Sequence, residues 1–322
     1  MADVAAPPAV AAQKAAKRQR RLSLEAIEER WFYVFISPWL IGFVLWTAGP
    51  MVASVILSFT RYEIVLPPQW IGFDNFVTMF TKDPLFWKAL KVTLHYTILS
   101  VPLSVIFAVL IALLLNQRLP GLSIWRTIYY LPSITSGVAV ALMWSWVFHP
   151  NFGLVNSVLW MLFRIQGPKW LLDEAWVIPT FVIMGLWGFG GPMLIYLAAM
   201  QGIPTELYES AELDGANIFQ KIRHITIPLI TPVIFFNMVM NIIGSFQVFT
   251  NAFIITAGGP NYASYFYLLH LYSNGFQYFR MGYASALALV LFVIIMACTY
   301  LAFRTSRYWV YYEVGPLQAG RR

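Results

Sequence analysis

The chain has 322 residues, of which 59% are hydrophobic, 17% aromatic and only 11% charged, and its mean hydropathy is +0.67. A soluble globular domain carries about 25% charged residues, so this composition excludes an ordinary water-soluble domain and makes lipid the solvent. The single cysteine, Cys298, excludes an internal disulfide and a cysteine-rich metal cluster, and the net charge of +7 turns on where the cations sit.

Ala and Pro dominate residues 1–16, and residues 1–22 are expected to form a disordered basic tail. Its cluster Lys14 to Arg21 suits anionic headgroups beside a span better than nucleic acid. The tail is too long and polar for a cleavable signal peptide. Ser23 can cap a short helix carrying Glu25, Glu28 and Glu29. Apolar runs then follow at Trp31–Phe59, Val92–Leu115, Thr127–Phe148, Val177–Met200, Leu229–Ile255 and Tyr283–Phe303. Each can supply the roughly 20 residues a helix needs to cross hydrocarbon. They are too continuous for barrel strands, which alternate. The fold class predicted is all-α, a polytopic membrane protein of six transmembrane helices, with the membrane domain over 23–310 and a tail over 311–322.

Six spans place both termini on one side. The segments on that side carry Lys14, Lys17, Arg18, Arg20, Arg21 and Arg30, then Arg118, Arg126, Lys221, Arg223, Arg304, Arg307, Arg321 and Arg322. The other side carries Arg61, Lys82, Lys88, Lys91, Arg164, Lys169 and Arg280. The richer side is expected to be cytoplasmic. The two longer external loops, Tyr62–Lys91 and Asn151–Ala175, read as amphipathic caps too small to capture a solute alone.

Between the fourth and fifth runs lies a polar segment, about 201–228, with Glu206, Glu209, Glu212 and Asp214 in it. Pro204 suits a helix start, and Gly215 permits a sharp turn without a Cβ penalty. A second helical stretch from about Ala216 to His224 leads to Pro228. The product is a short helix–turn–helix element that projects as a lever.

Glu209-Ser-Ala211, then Gly215, then Ile225-Thr-Ile-Pro228 resembles the EAA loop of ABC importer membrane subunits. Ser210 and Ile227 depart from that pattern but keep a small and an apolar side chain. Tyr208 and Asp214-Gly215-Ala216 resemble the carbohydrate type of the loop. Phe73-Asp-Asn-Phe76, Arg126 to Pro132, Gly153-Leu-Val-Asn156 and Thr256-Ala-Gly-Gly-Pro260 resemble other stretches of the maltose-transporter F-type permeases. Together they cover roughly residues 30–310.

The resemblance implies a type I importer permease in a prokaryotic inner membrane. Its implied partners are a G-type permease, two cytoplasmic ATPase subunits and an extracytoplasmic solute-binding protein. Glu209, Ala211, Asp214, Gly215 and Ala216 would then form the ATPase-coupling site. The chain has no Walker A run and no paired Cys and His at metal spacing. No cofactor or metal is expected in it, and ATP and Mg would belong to the partner ATPase. His95, His149, His224 and His270 are scattered and read as structural or interfacial.

Polar residues inside spans are candidates for a solute path. The fifth run places Asn237, Asn241, Gly244, Val248 and Asn251 at helical spacing, with Ser245 and Gln247 beside them. Helix–helix hydrogen bonding to a partner permease is the competing reading of that stripe. The fourth run offers Trp187, Gly191 and Tyr196 around Gly190-Gly-Pro192, and close packing through small residues competes there. The resemblance implies sugar contacts in both runs. No Lys, Arg, Asp or Glu falls inside the third to sixth runs. A neutral sugar, oligosaccharide or polyol is therefore expected as the solute, with a sugar phosphate as the alternative. An ion-driven secondary transporter would want a buried carboxylate or inverted repeats.

Overall fold

The computed structural model describes residues 24–117 and 120–312. The expected basic tail, Ser23, Arg118 and most of the 311–322 tail lie outside the described residues. The chain divides into two compact units between Ile56 and Leu57.

In the first unit the helix begins at Leu24, so Glu28 and Glu29 sit on the same helix as the first span rather than on a separate one. It is α-helical over Leu24–Phe43, widens to a π turn over Val44–Ala48 and returns to α from Gly49. The π turn has a local cause. Pro50 has no N–H to give, and Gly49 donates five residues back to Val44 instead. A Cβ on Gly49 would come within 2.9 Å of that carbonyl.

The second unit is helical apart from one two-stranded hairpin, Thr60–Arg61 against Gln69–Trp70. Span two is an unbroken 32-residue helix, Pro84–Leu115. Asp83 caps it, and Pro84 occupies its first turn, where a missing N–H costs nothing. Span five runs Ile218–Ser245 and span six Met281–Ser306. Spans three and four are bent pairs, Leu122–Ile134 with Gly137–Val147 at 100° and Val177–Leu186 with Gly190–Gln201 at 47°. With the first helix these make six spans. A straight third span over Thr127–Phe148 is therefore not what forms. Pro132 tightens the chain to a 3₁₀ turn, Thr135 and Ser136 are extended, and the helix restarts at Gly137.

Lipid supplies no hydrophobic force between helices, so close packing of small residues holds the bundle. Ala108 and Ala112 of span two are fully buried against Met193, Tyr196 and Met200 of span four and Ile230 of span five. At the other end Tyr96 packs edge-to-face on Phe266, 5.3 Å between centroids. Spans three and four cross closely at Gly190, where a Cβ would lie 2.4 Å from the Tyr129 carbonyl of span three. Two loop asparagines staple their segments. Asn75 donates to the Ser58 and Thr60 carbonyls at 2.8 and 2.9 Å. Asn156 donates to the Pro150 carbonyl and accepts Trp170 Nε1–H at 2.6 Å.

Candidate functional site

The polar loop after span four forms a helix over Thr205–Leu213, with Pro204 as its N-cap. Its stop is a Schellman motif. Gly215 N–H donates to the Glu212 carbonyl at 3.0 Å, and Ala216 N–H donates to Ala211 at 2.8 Å. Gly215 has φ +76°, the left-handed region that favours glycine. Four of the predicted coupling residues thus belong to one helix stop: Ala211, Asp214, Gly215 and Ala216. Glu209 lies exposed on that helix, and its carboxylate has no hydrogen-bond partner among the described residues.

The chain restarts at once. Asn217 and Gln220 form a capping box, at 3.0 and 2.7 Å. The second helical stretch expected from about Ala216 to His224 thus forms from Ile218, and it runs on without a break into span five. A π turn over Ile222–Thr226 follows, and here too the residue before a proline, Ile227, donates five back, to Ile222. The Ile-Thr-Ile-Pro run thus encodes the same local widening as Gly49-Pro50.

Two contacts brace the turn. Lys221 Nζ lies 2.7 Å from Glu212 Oε1, and this bond together with the Lys221 charge holds the Glu212 carboxyl below the usual carboxylate range. Tyr208 Oη and Thr226 Oγ1 are 2.9 Å apart. Tyr208 and Ile225 also pack on the core that holds Tyr196, Met200 and Ile230. The loop is thus packed on the core shared by spans two, four and five. Leu213 and Phe219 flank the turn and are 91% and 79% exposed.

Mid-length in the bundle, spans two, four and five enclose a groove of about 270 Å³. Span five contributes Asn237, Met240, Asn241, Gly244 and Ser245, and Val248 follows just beyond its end. Asn237 and Asn241 each give one amide N–H to their own helix, at 3.0 and 2.9 Å, and Ser245 gives its hydroxyl to Ile242 at 2.8 Å. A backbone carbonyl only accepts, so the nitrogen faces it and each Oδ1 is left as an acceptor. None of the lining residues is charged.

Of the seven predicted pathway residues, Asn241 and Ser245 line this groove. Span five ends at Ser245, so the stripe does not run on as one helix, and Gln247 and Asn251 fall in and beyond the turn that follows. Trp187 sits at the break of span four, edge-to-face with Trp144. Gly191 faces open space, whereas Gly190 and Gly185 make the close crossings. Tyr196 is fully buried in the core beneath the loop. Tyr96, Ser100 and Ser104 of span two, absent from the sequence reading, complete the lining. Their spacing of four was the available signal.

A larger cleft, about 500 Å³, opens at the Asp83 end of the bundle. Asp83 Oδ2 accepts from His270 Nε2 at 2.9 Å and Tyr283 Oη at 2.6 Å. Burial pushes His270 below the usual histidine range, against the opposing pull of Asp83. The imidazole is thus a neutral donor, and its pairing with Asp83 is structural. This cleft lies at the bundle's end rather than along the spans, which is why the smaller groove is the candidate path.

Six helices, an uncharged polar groove along three of them and a braced lever at one end define a membrane transport subunit. The chain belongs to the family described as binding-protein-dependent transport system inner membrane component, which matches residues 86–312. It is thus a multi-pass inner-membrane component, and not itself a catalyst. It is 46% identical over 284 residues to the probable ABC transporter permease protein YesP of Bacillus subtilis (strain 168), covering 87% of this chain and 92% of that one. It is 32% identical to the arabinooligosaccharides transport system permease protein AraP of Halalkalibacterium halodurans, covering 82% and 83%. Among solved structures it resembles a chain of a bacterial alginate ABC transporter in complex with alginate pentasaccharide-bound periplasmic protein, with TM-score 0.80, 28% identity and coverage of 92% and 100%.

Proposed function

We propose that this chain forms one half of the path by which an importer carries a neutral sugar, oligosaccharide or polyol inward. The carrying observation is the groove, polar yet uncharged, with acceptors on span five that suit solute hydroxyls. The arabinooligosaccharides named for AraP support the same solute class, whereas the alginate of the solved transporter is an acidic polysaccharide and supports only a saccharide. A sugar phosphate would need its counter-charge from another chain.

The other half is a G-type permease, and an extracytoplasmic binding protein delivers the solute. Two cytoplasmic ATPase subunits hold ATP and Mg, and this chain holds no cofactor or metal. The Thr205–Leu213 helix docks on the ATPase through Glu209, with Leu213 and Phe219 as apolar contacts beside the turn set by Ala211, Asp214, Gly215 and Ala216. Both termini are cytoplasmic, by the cation bias. ATP closure of the ATPases moves the lever, and the shared core carries the movement to spans two, four and five.

The test is a binding screen of the cognate solute-binding protein against neutral mono-, di- and oligosaccharides and polyols, followed by uptake in vesicles. Submicromolar binding of one of these and ATP-dependent uptake insensitive to an ionophore are expected. Binding only to a peptide, an amino acid or a metal overturns the sugar assignment.

A further inference from the structure

We propose that Tyr96, Ser100 and Ser104 of span two form a third wall of the solute path and make it selective for uncharged, hydroxyl-bearing solutes. This rests on the importer reading above and adds to it a helix that neither the loop nor the amide stripe implicated.

The three residues lie four apart, so they form one stripe along the helix. Ser100 is at the midpoint of the 32-residue span, far from either end. The stripe faces Asn237, Asn241 and Ser245 across the groove. Tyr96 is held rigidly. Its ring is wedged edge-to-face against Phe266, and a Cβ on Gly185 would come within 3.0 Å of its hydroxyl. A residue larger than glycine at 185 would displace the phenol from the wall.

The two walls are chemically complementary. Span five turns one amide N–H of Asn237 and of Asn241 and the Ser245 hydroxyl onto its own backbone, and each amide keeps a free Oδ1 acceptor beside its second N–H. Span two supplies hydroxyls, and Ser104 has no hydrogen-bond partner among the described residues. A hydroxyl both donates and accepts, so a sugar hydroxyl can satisfy the two walls at once. A carboxylate or sulfonate only accepts, so it would leave those Oδ1 acceptors unpaired and would meet no cation in the lining. Burying an unpaired charge there is costly.

The experiment uses the complete complex in lipid nanodiscs, with Cys298→Ser as background, and two single cysteines. Ser104→Cys tests the stripe, and Ile106→Cys reports the opposite side of span two, where Ile106 is exposed. During ATP turnover with the binding protein, each is treated with neutral hydroxyethyl methanethiosulfonate and with anionic sulfonatoethyl methanethiosulfonate. Ser104→Cys is expected to react with the neutral reagent about tenfold faster than with the anionic one. That preference should depend on ATP, and Ile106→Cys should show no such dependence. No reaction at Ser104→Cys with either reagent, or equal rates for both, overturns the third wall. Neither result touches the importer reading, which the binding-protein screen decides separately.

Discussion

Asp83 receives four hydrogen bonds from three separate parts of the chain. Leu85 and Phe86 N–H donate to Oδ1, and His270 and Tyr283 donate to Oδ2. A single carboxylate therefore caps span two and ties it to the Tyr267–Tyr272 helix and to span six. Thr93 adds a second tie, accepting Tyr267 N–H at 2.9 Å. His270 follows a sign that can be worked out. Its folded pKa lies below the usual value of about 6.5, so the unfolded chain binds the proton more readily. The contribution is fully present above that value and is lost as pH falls below it. Thermal melts of the purified protein should therefore show a drop in Tm between about pH 7.5 and 5.5. His270→Gln keeps a donor for Asp83 and should remove that part of the pH dependence while leaving the high-pH plateau near wild type. An unchanged pH profile in the variant would disprove the assignment.

At the scale of elements, the lever is a helix stop and a helix start separated by a short turn. The Schellman motif ends one arm at Leu213, and the Asn217 capping box begins the other at Ile218. The space around Gly215 is open, so the constraint there is its positive φ rather than crowding. Placing a non-glycine residue in that region costs about 1–2 kcal/mol, with asparagine the usual exception. Gly215→Val should thus cut uptake severely with normal membrane levels, and Gly215→Asn should retain most of it. Uptake in vesicles at matched expression is the measurement, with ATPase copurification beside it. Glu209→Lys reverses the charge of the exposed face without touching the stop, so it should weaken copurification of the ATPase directly. Wild-type coupling in both Gly215→Val and Glu209→Lys would remove the lever role.

At the scale of the whole molecule, six spans and an inside cation bias fix the expected sidedness. Trp160→Cys and Ser210→Cys, each in the Cys298→Ser background, should react with a membrane-impermeant maleimide from opposite faces of the membrane. Labelling of both from one face would refute the topology. The chain leaving span six returns to span five, where Tyr311 N–H donates to Thr231 Oγ1 at 2.8 Å. Trp309 and Phe303 pack edge-to-face on Phe235 nearby. The start of the 311–322 tail is therefore held against the lever end of the bundle.

What the sequence by itself determined is whatever local chemistry or solvent dictates. Lipid forces each long apolar run into a helix, so the all-helical class was legible from composition and run length. The spacing of Ala211, Gly215 and Pro228 was legible because each acts on its own backbone, as a helix stop or a missing N–H. What only the tertiary structure decided is which polar faces meet. Asn241 and Ser245 line the groove while Tyr196, equally polar on paper, lies in the core, because span four is bent 47° below Trp187. The 100° bend in span three was likewise hidden, since apolar content measures affinity for lipid and says nothing of direction. Tyr96, Ser100 and Ser104 entered the wall only because Gly185 and Gly190 let spans two, three and four approach closely, and Asp83 found His270 across 187 positions of chain. Such pairings depend on long-range packing, which local periodicity does not encode.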